Sequence, residues 1–153
     1  MTEKLEDIRP CLFCHQGCLD RLAHGLPLSC AVNPACGREK SMAITPAIEK
    51  KNVLIVVGGL AGMEAARVCA TRGHRVTLLE KGPKLGGNII PGCVPDFKEN
   101  DRVLLKWYEV QLSKLPVKIK LSCEADKEMI EESNANVVIF ATQDCDPVGS
   151  GIG

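Results

Sequence analysis

The spacing of apolar residues changes character near residue 50. Residues 1–45 lack any strand pattern, and only His15 to His24 predicts a short helix, stopped by Gly25-Leu26-Pro27. Ser41 to Lys51 reads as a connector. From Val53 the run Val53-Leu54-Ile55-Val56-Val57 is continuous and largely β-branched, the pattern of a strand covered on both faces, and Gly58-Gly59 end it. A helix over Ala61 to Arg72, capped by Gly73, and a strand over Arg75 to Leu79 complete a βαβ unit. Pro83 to Cys93 reads as a Gly/Pro-rich loop. In Asp96 to Lys114, Val103, Trp107 and Val110 recur at helical spacing beside Leu104, Tyr108 and Leu112, which predicts an amphipathic helix. A strand at Val117 to Leu121, a short helix at Lys127 to Ser133 and a strand at Val137 to Ala141 follow. Every connection between strands is helical, so the sheet is expected to be parallel with right-handed crossovers. The tail, Pro147 to Gly153, has no core-forming pattern and is expected to be mobile.

The pattern therefore predicts an α/β chain in two parts, an irregular segment at 1–45 and a Rossmann-like parallel sheet at 46–153. Composition narrows its partners. Lys plus Arg and Asp plus Glu number 19 each among 153 residues, so no excess positive field exists to attract nucleic acid or an anionic membrane surface. The first ten residues are polar and charged, and no apolar run is long enough to span a bilayer, which points to a cytoplasmic protein. Nine cysteines in a chain with no signal peptide pattern favour reduced thiols over disulfides.

Those cysteines are unevenly placed. Cys11, Cys14, Cys18 and Cys30 form C-x2-C-x3-C-x11-C, three thiolates in one turn and a fourth from a nearby loop, a set that can surround a 4Fe-4S cubane with one thiolate per iron. A structural zinc held by four thiolates and a set of unliganded buried thiols are the alternatives, although zinc ribbons usually pair two C-x2-C hairpins and only one is present. Cys36 reads as a packing thiol and His15 as solvent-facing or, less often, a ligand. Cys69, Cys93, Cys123 and Cys145 read as small semi-apolar residues, since no base is patterned near them.

The second chemical motif follows the first strand. Val57-Gly58-Gly59-Leu60-Ala61-Gly62 keeps two of the three glycines of G-x-G-x-x-G: Gly59 would let backbone approach a pyrophosphate, and Gly62 would let helix and strand pack closely. Helix N-terminal amides would supply the anion site. Glu80, 21 residues beyond Gly59, stands where a carboxylate can accept bonds from adenosine ribose hydroxyls. By itself Gly-Gly after a strand can be a simple turn.

The segments IRPCLFCHQGCLDR, CAVNPACGRE, VLIVVGGLAGMEAARVCATRGHRVTLLEK, LGGN and VVIFAT, in this order, resemble the iron–sulfur flavoproteins of the 2,4-dienoyl-CoA reductase and trimethylamine dehydrogenase family, relatives of old yellow enzyme. The gap between Cys14 and Cys18 looks more like the dienoyl-CoA reductase branch. The resemblance implies a TIM barrel with FMN and substrate, then the cluster, then an FAD domain holding an inserted NAD(P)H domain. It implies electron flow from NAD(P)H to FAD, cluster, FMN and enoyl thioester. Met1 lies just before the cluster motif and the chain stops where the nicotinamide domain would begin. The expectation is thus an electron-transfer piece of an NAD(P)H:flavin oxidoreductase that does not turn over substrate as this chain alone and takes an FMN-barrel-containing oxidoreductase chain as partner. The alternatives are a non-enzymatic zinc- and nucleotide-binding module and an inactive truncated remnant.

Position by position, the resemblance makes Cys11, Cys14, Cys18 and Cys30 the cluster ligands and puts Gly58, Gly59, Ala61, Gly62, Glu80, Asn88, Lys98 and Ala125 around FAD. Asn88 stands where these proteins often have Gln. Lys98 would pair with the pyrophosphate or stand as a solvated helix lysine, and Ala125 would pack near the adenine. Three departures touch this site: Val57 replaces the first glycine, Leu60 a usual proline, and Ala141-Thr142-Gln143 the usual Ala-Thr-Gly. They predict FAD bound weakly, or ADP in its place.

Overall fold

A computed structural model describes residues 4–142; the expected mobile tail, Gln143 and Cys145 lie outside the described residues. Four strands, β1 (Asn52–Val56), β2 (Arg75–Leu79), β3 (Val117–Lys120) and β4 (Val137–Phe140), form one sheet in the order β3-β2-β1-β4. All three pairings are parallel, with Ile55 of β1 in register with Leu78 on one side and Ile139 on the other. The chain is α/β, as the alternating periodicity requires.

The helices are α1 (Arg21–Ala23), α2 (Leu60–Thr71), α3 (Ile89–Gly92), α4 (Glu99–Ser113) and α5 (Lys127–Glu132). α2 and α4 cover one face of the sheet. Ile55, Met63, Leu78 and Leu112 are wholly enclosed there, joined by Val53, Ala66, Val76, Leu104, Trp107 and Tyr108. Each large side chain so buried contributes about 1.5 to 3 kcal/mol. The amphipathic reading of α4 needs one rotation: Leu104, Trp107, Tyr108 and Leu112 face the core, whereas Val103 is exposed.

Several elements differ from the sequence pattern for local reasons. The helix expected over His15 to His24 begins one residue later, as a π turn at Gln16–Asp20 that runs into α1, because His15 is left-handed with φ 58°. β1 stops at Val56, since Val57 turns out of the strand at φ 81°. The loop expected over Pro83 to Cys93 contains α3, with Pro91 inside its single turn, and α4 is preceded by a 3-10 turn at Asp96–Lys98. α5 is capped by Asp126, whose Oδ1 accepts from the Met129 N–H at 2.7 Å.

The segment before β1 lies against α4. Trp107 Nε1 donates to the Asp7 carbonyl at 3.2 Å, Gln111 Nε2 to Asp7 Oδ1 at 2.8 Å, and Lys114 Nζ pairs with Glu6 at 2.8 Å and Asp7 at 2.7 Å. Among the described residues no helix is long and apolar enough to cross a membrane.

Candidate functional site

Two sites and a gap between them lie along the edge where the cysteine segment meets the sheet. The first is built by the turns after β1 and β2. A cavity of about 590 Å³ is lined by Val57, Gly59, Leu60, Ala61, Glu80, Lys81, Gly86, Gly87, Asn88, Ile89, Ala141 and Thr142. It opens at the N-terminus of α2, where backbone N–H groups without helical partners point outward and favour an anion. Gly62 makes that placement possible. A Cβ built on it would stand 1.9 Å from the Val57 carbonyl oxygen, so only glycine lets α2 pack this close to the turn.

Glu80, 7% exposed, ties the loop together. Its Oε2 accepts from the Gly58 N–H at 2.7 Å and its Oε1 from the Gly82 N–H at 2.6 Å. Each carboxylate oxygen keeps a further lone pair, so the side chain can hold the glycine turn and still accept from a ligand hydroxyl at the cavity wall. The loop from Leu85 to Asn88 backs this turn, with Gly86 N–H donating to the Gly58 carbonyl at 2.9 Å. Val57, where the fingerprint lacks its first glycine, carries a valine in a conformation that favours glycine, and it lines the cavity.

Of the residues expected around FAD, Gly59, Ala61, Glu80 and Asn88 line this cavity, while Gly58 and Gly62 shape it from behind. Lys98 and Ala125 do not line it. Lys98, the last residue of the 3-10 turn before α4, pairs with Asp101 in the first turn of α4 at 3.5 Å, and Ala125 sits in the connection between β3 and α5.

The second site is the cysteine turn. Cys11, Cys14, Cys18 and Cys30 ring one cavity of about 40 Å³, closed by Leu12, Phe13, Ala31 and Val32. Left-handed residues at Phe13 and His15 wind the chain around it. The Phe13 N–H donates to Cys11 Sγ at 3.3 Å. Gly17 brings in the fourth cysteine. A Cβ there would meet the Ser29 carbonyl at 2.8 Å and the Cys30 backbone at 3.0 Å, and the Gly17 carbonyl accepts from the Ser29 N–H at 2.8 Å. No spacing rule singles out this glycine, because its partner lies a loop away.

Among the described residues no three His, Cys, Asp or Glu side chains converge on a point that would hold a single metal ion. Four soft thiols around a shared, apolar-walled cavity are the donor set of a cluster whose irons each take one thiolate, and the residues fit that group. Cys93 is buried, burial pushes the half-buried Cys69 thiol up, and Cys123 Sγ lies 3.7 Å from Met129 Sδ; all three sit away from the ring.

Between the two sites is a gap of about 320 Å³ lined by Arg9, Leu12, Cys30, Val32, Leu60, Ala61, Glu64 and Tyr108, among others. It shares Cys30 and Leu12 with the cysteine ring, and Leu60 and Ala61 with the nucleotide cavity. Sequence reasoning passed over Arg9 and Glu64, which face each other here at 3.2 Å. Burial pushes the Glu64 carboxyl up, but hydrogen bonds and charge from Arg67 and Arg9 outweigh it and hold the group below its ordinary value. Burial and the same carboxylate push the neighbouring Tyr108 phenol up to about 12.

Comparison with known proteins gives the family and the fold. The FAD-dependent oxidoreductase family model matches residues 52–111. Cinnamate reductase from Clostridium sporogenes is 58% identical over 140 residues, covering 92% of this chain and 21% of the relative. Bilirubin reductase from Mediterraneibacter gnavus is 41% identical over 134 residues, covering 88% and 21%. Among solved structures, a 2-naphthoyl-CoA reductase complex with 2-naphthoyl-CoA superposes with a TM-score of 0.86 at 38% identity, covering 89% of this chain and 21% of that one. The chain spans about a fifth of the length of the relatives it matches.

Proposed function

We propose that this chain, which belongs to the FAD-dependent iron–sulfur flavoproteins of the 2,4-dienoyl-CoA reductase and trimethylamine dehydrogenase family and carries one segment of them, passes electrons between FAD and a 4Fe-4S cluster. The observation that carries the proposal is adjacency: the cysteine ring and the nucleotide cavity are separated only by a gap whose walls belong to both. A ring of thiols far from the flavin site would have no such use.

In this reading Cys11, Cys14, Cys18 and Cys30 hold the cluster, which supplies one-electron redox chemistry when bound. The chain's own residues do the rest. The amides at the start of α2 take the FAD pyrophosphate, Gly62 keeps that helix end against the turn, and Glu80 holds the turn while facing the ribose. Asn88, Ala141 and Thr142 also line the cavity. Leu12, Leu60 and Ala61 supply apolar lining to the space between the two sites.

The work is that of an NAD(P)H:flavin oxidoreductase in the cytoplasm, with substrate handled by an FMN barrel elsewhere in the polypeptide or on another chain. Phe13, Leu19, Leu22 and Leu26 of the cysteine segment are large apolar residues left exposed, which supports contact of this segment with such a barrel. Anaerobic reconstitution with iron, sulfide and FAD tests the reading. The expected product is a brown protein with about four irons and four sulfides per chain, as one cubane requires, and bound flavin. Stoichiometric zinc without acid-labile sulfide would overturn it.

A further inference from the structure

Arg9 lies two residues before the first cysteine of the ring and makes contacts out of proportion to its place in a terminal segment. Its side chain is only 16% exposed. One guanidinium nitrogen donates to the carbonyl of Val32, two residues after the fourth cysteine. The other reaches the Glu64 carboxylate on α2 at 3.2 and 3.3 Å. The guanidinium carbon lies over the Trp107 ring, 4.4 Å from its centroid, and 5.9 Å from that of Tyr108, both on α4.

These partners come from three places that must keep a fixed relation if the two sites are to work together. Val32 continues the strand of chain that delivers Cys30. Glu64 is one helical turn beyond Ala61, on the helix whose N-terminus opens into the nucleotide cavity. Trp107 and Tyr108 are buried in the core cluster with the strand residues. Glu64 is itself immobilised by a two-pronged bond to Arg67, Nε and Nη2 each at 2.8 Å, so Arg9 meets a rigid acceptor. A guanidinium offers separate nitrogens to the Val32 carbonyl and the Glu64 carboxylate while lying over an indole; a lysine would have to reach both acceptors from a single nitrogen.

We infer that Arg9 is a positioning residue that sets the separation between the cysteine ring and the nucleotide-binding helix α2, and with it the rate of electron passage between the two sites. The inference rests on the function proposed above. Glu64 retains Arg67 when Arg9 is replaced, so no carboxylate is stranded and the sheet keeps its fold.

The test compares the anaerobically purified, reconstituted chain with Arg9→Lys and Arg9→Met. Amide exchange over residues 10–32 is expected to accelerate at least tenfold in both variants, while β1 and β2 exchange as in the parent. In Arg9→Lys loaded with the parent's iron and FAD, electron transfer from reduced flavin to the cysteine-ring site is expected to slow at least tenfold. Should Arg9→Met fail to retain iron, Arg9→Lys decides the outcome. Parental exchange and parental rate in Arg9→Lys would overturn the inference. Faster exchange with an unchanged rate would also overturn it, leaving Arg9 a clamp without consequence for transfer. A parent chain that takes up neither iron nor FAD would refute the proposed function instead, and the exchange comparison would then judge the Arg9 contacts separately.

Discussion

Gly62→Ala would ordinarily be a stabilising change. Alanine in a helix interior is favoured over glycine by about 1 kcal/mol, and Gly62 lies in the first turn of a regular twelve-residue helix. The structure reverses the sign. The added Cβ would stand 1.9 Å from the Val57 carbonyl oxygen and 3.1 Å from its carbonyl carbon, whereas real contacts stay beyond 3.0 Å. The end of α2 must therefore retreat by about 1.1 Å, and both sides of the contact are backbone, which cannot rotate away. Overpacking of this kind costs about 1 to 3 kcal/mol, and a backbone clash belongs at the upper end. For a chain of this size, about 3 kcal/mol lowers Tm by roughly 6 to 12 °C. The same retreat pulls the helix amides away from the cavity. Loss of one hydrogen bond to a charged phosphate, about 1.5 to 3 kcal/mol, weakens FAD or ADP binding roughly ten- to a hundredfold. Thermal unfolding and calorimetric titration of the parent and variant measure the two effects. A Gly62→Ala protein that melts at or above the parent temperature and binds nucleotide equally well would refute the close-approach argument.

Val57→Gly removes a β-branched side chain held at φ 81° in a residue that lines the cavity, so affinity for FAD or ADP is expected to tighten at least several-fold. Unchanged or weaker binding in a folded variant would mean that Val57 serves only to fill space. Cys14→Ser should abolish iron uptake, whereas Cys123→Ser, away from the ring, should leave it intact; equal losses by iron assay would displace the ligand assignment. The carboxyl of Glu64 is held below its ordinary value of 4.5, so its pairing stabilises the fold above that value and is lost as pH falls through the lowered one. Urea midpoints followed into acid should thus fall less steeply in Glu64→Gln than in the parent, and identical acid limbs would discount the pair.

What the sequence by itself determined were features whose physical cause is local. A β-branched run, a 3.6-residue period and terminal glycines specify β1, α2 and β2 within some thirty residues. They hold because strand and helix preferences act through neighbouring side chains. The spacing of Cys11, Cys14 and Cys18 is local in the same sense, and the loss of the first fingerprint glycine at Val57 was visible as a departure. Boundaries shifted by a residue or so where a left-handed backbone intervened, at His15 and Val57, which no periodicity encodes.

Only the tertiary structure decided which distant groups meet. The sheet order β3-β2-β1-β4 depends on how crossovers pack, and four short strands do not announce it. Cys30 was in the ligand set read from the spacing, but how it reaches the ring was not, since that depends on Gly17 letting two loops touch. Arg9 meets Glu64 across 55 residues, and Trp107 meets Asp7 across 100. Such contacts leave no period in the chain, since their energy comes from burial and complementary charge realised only after the sheet and its covering helices have assembled.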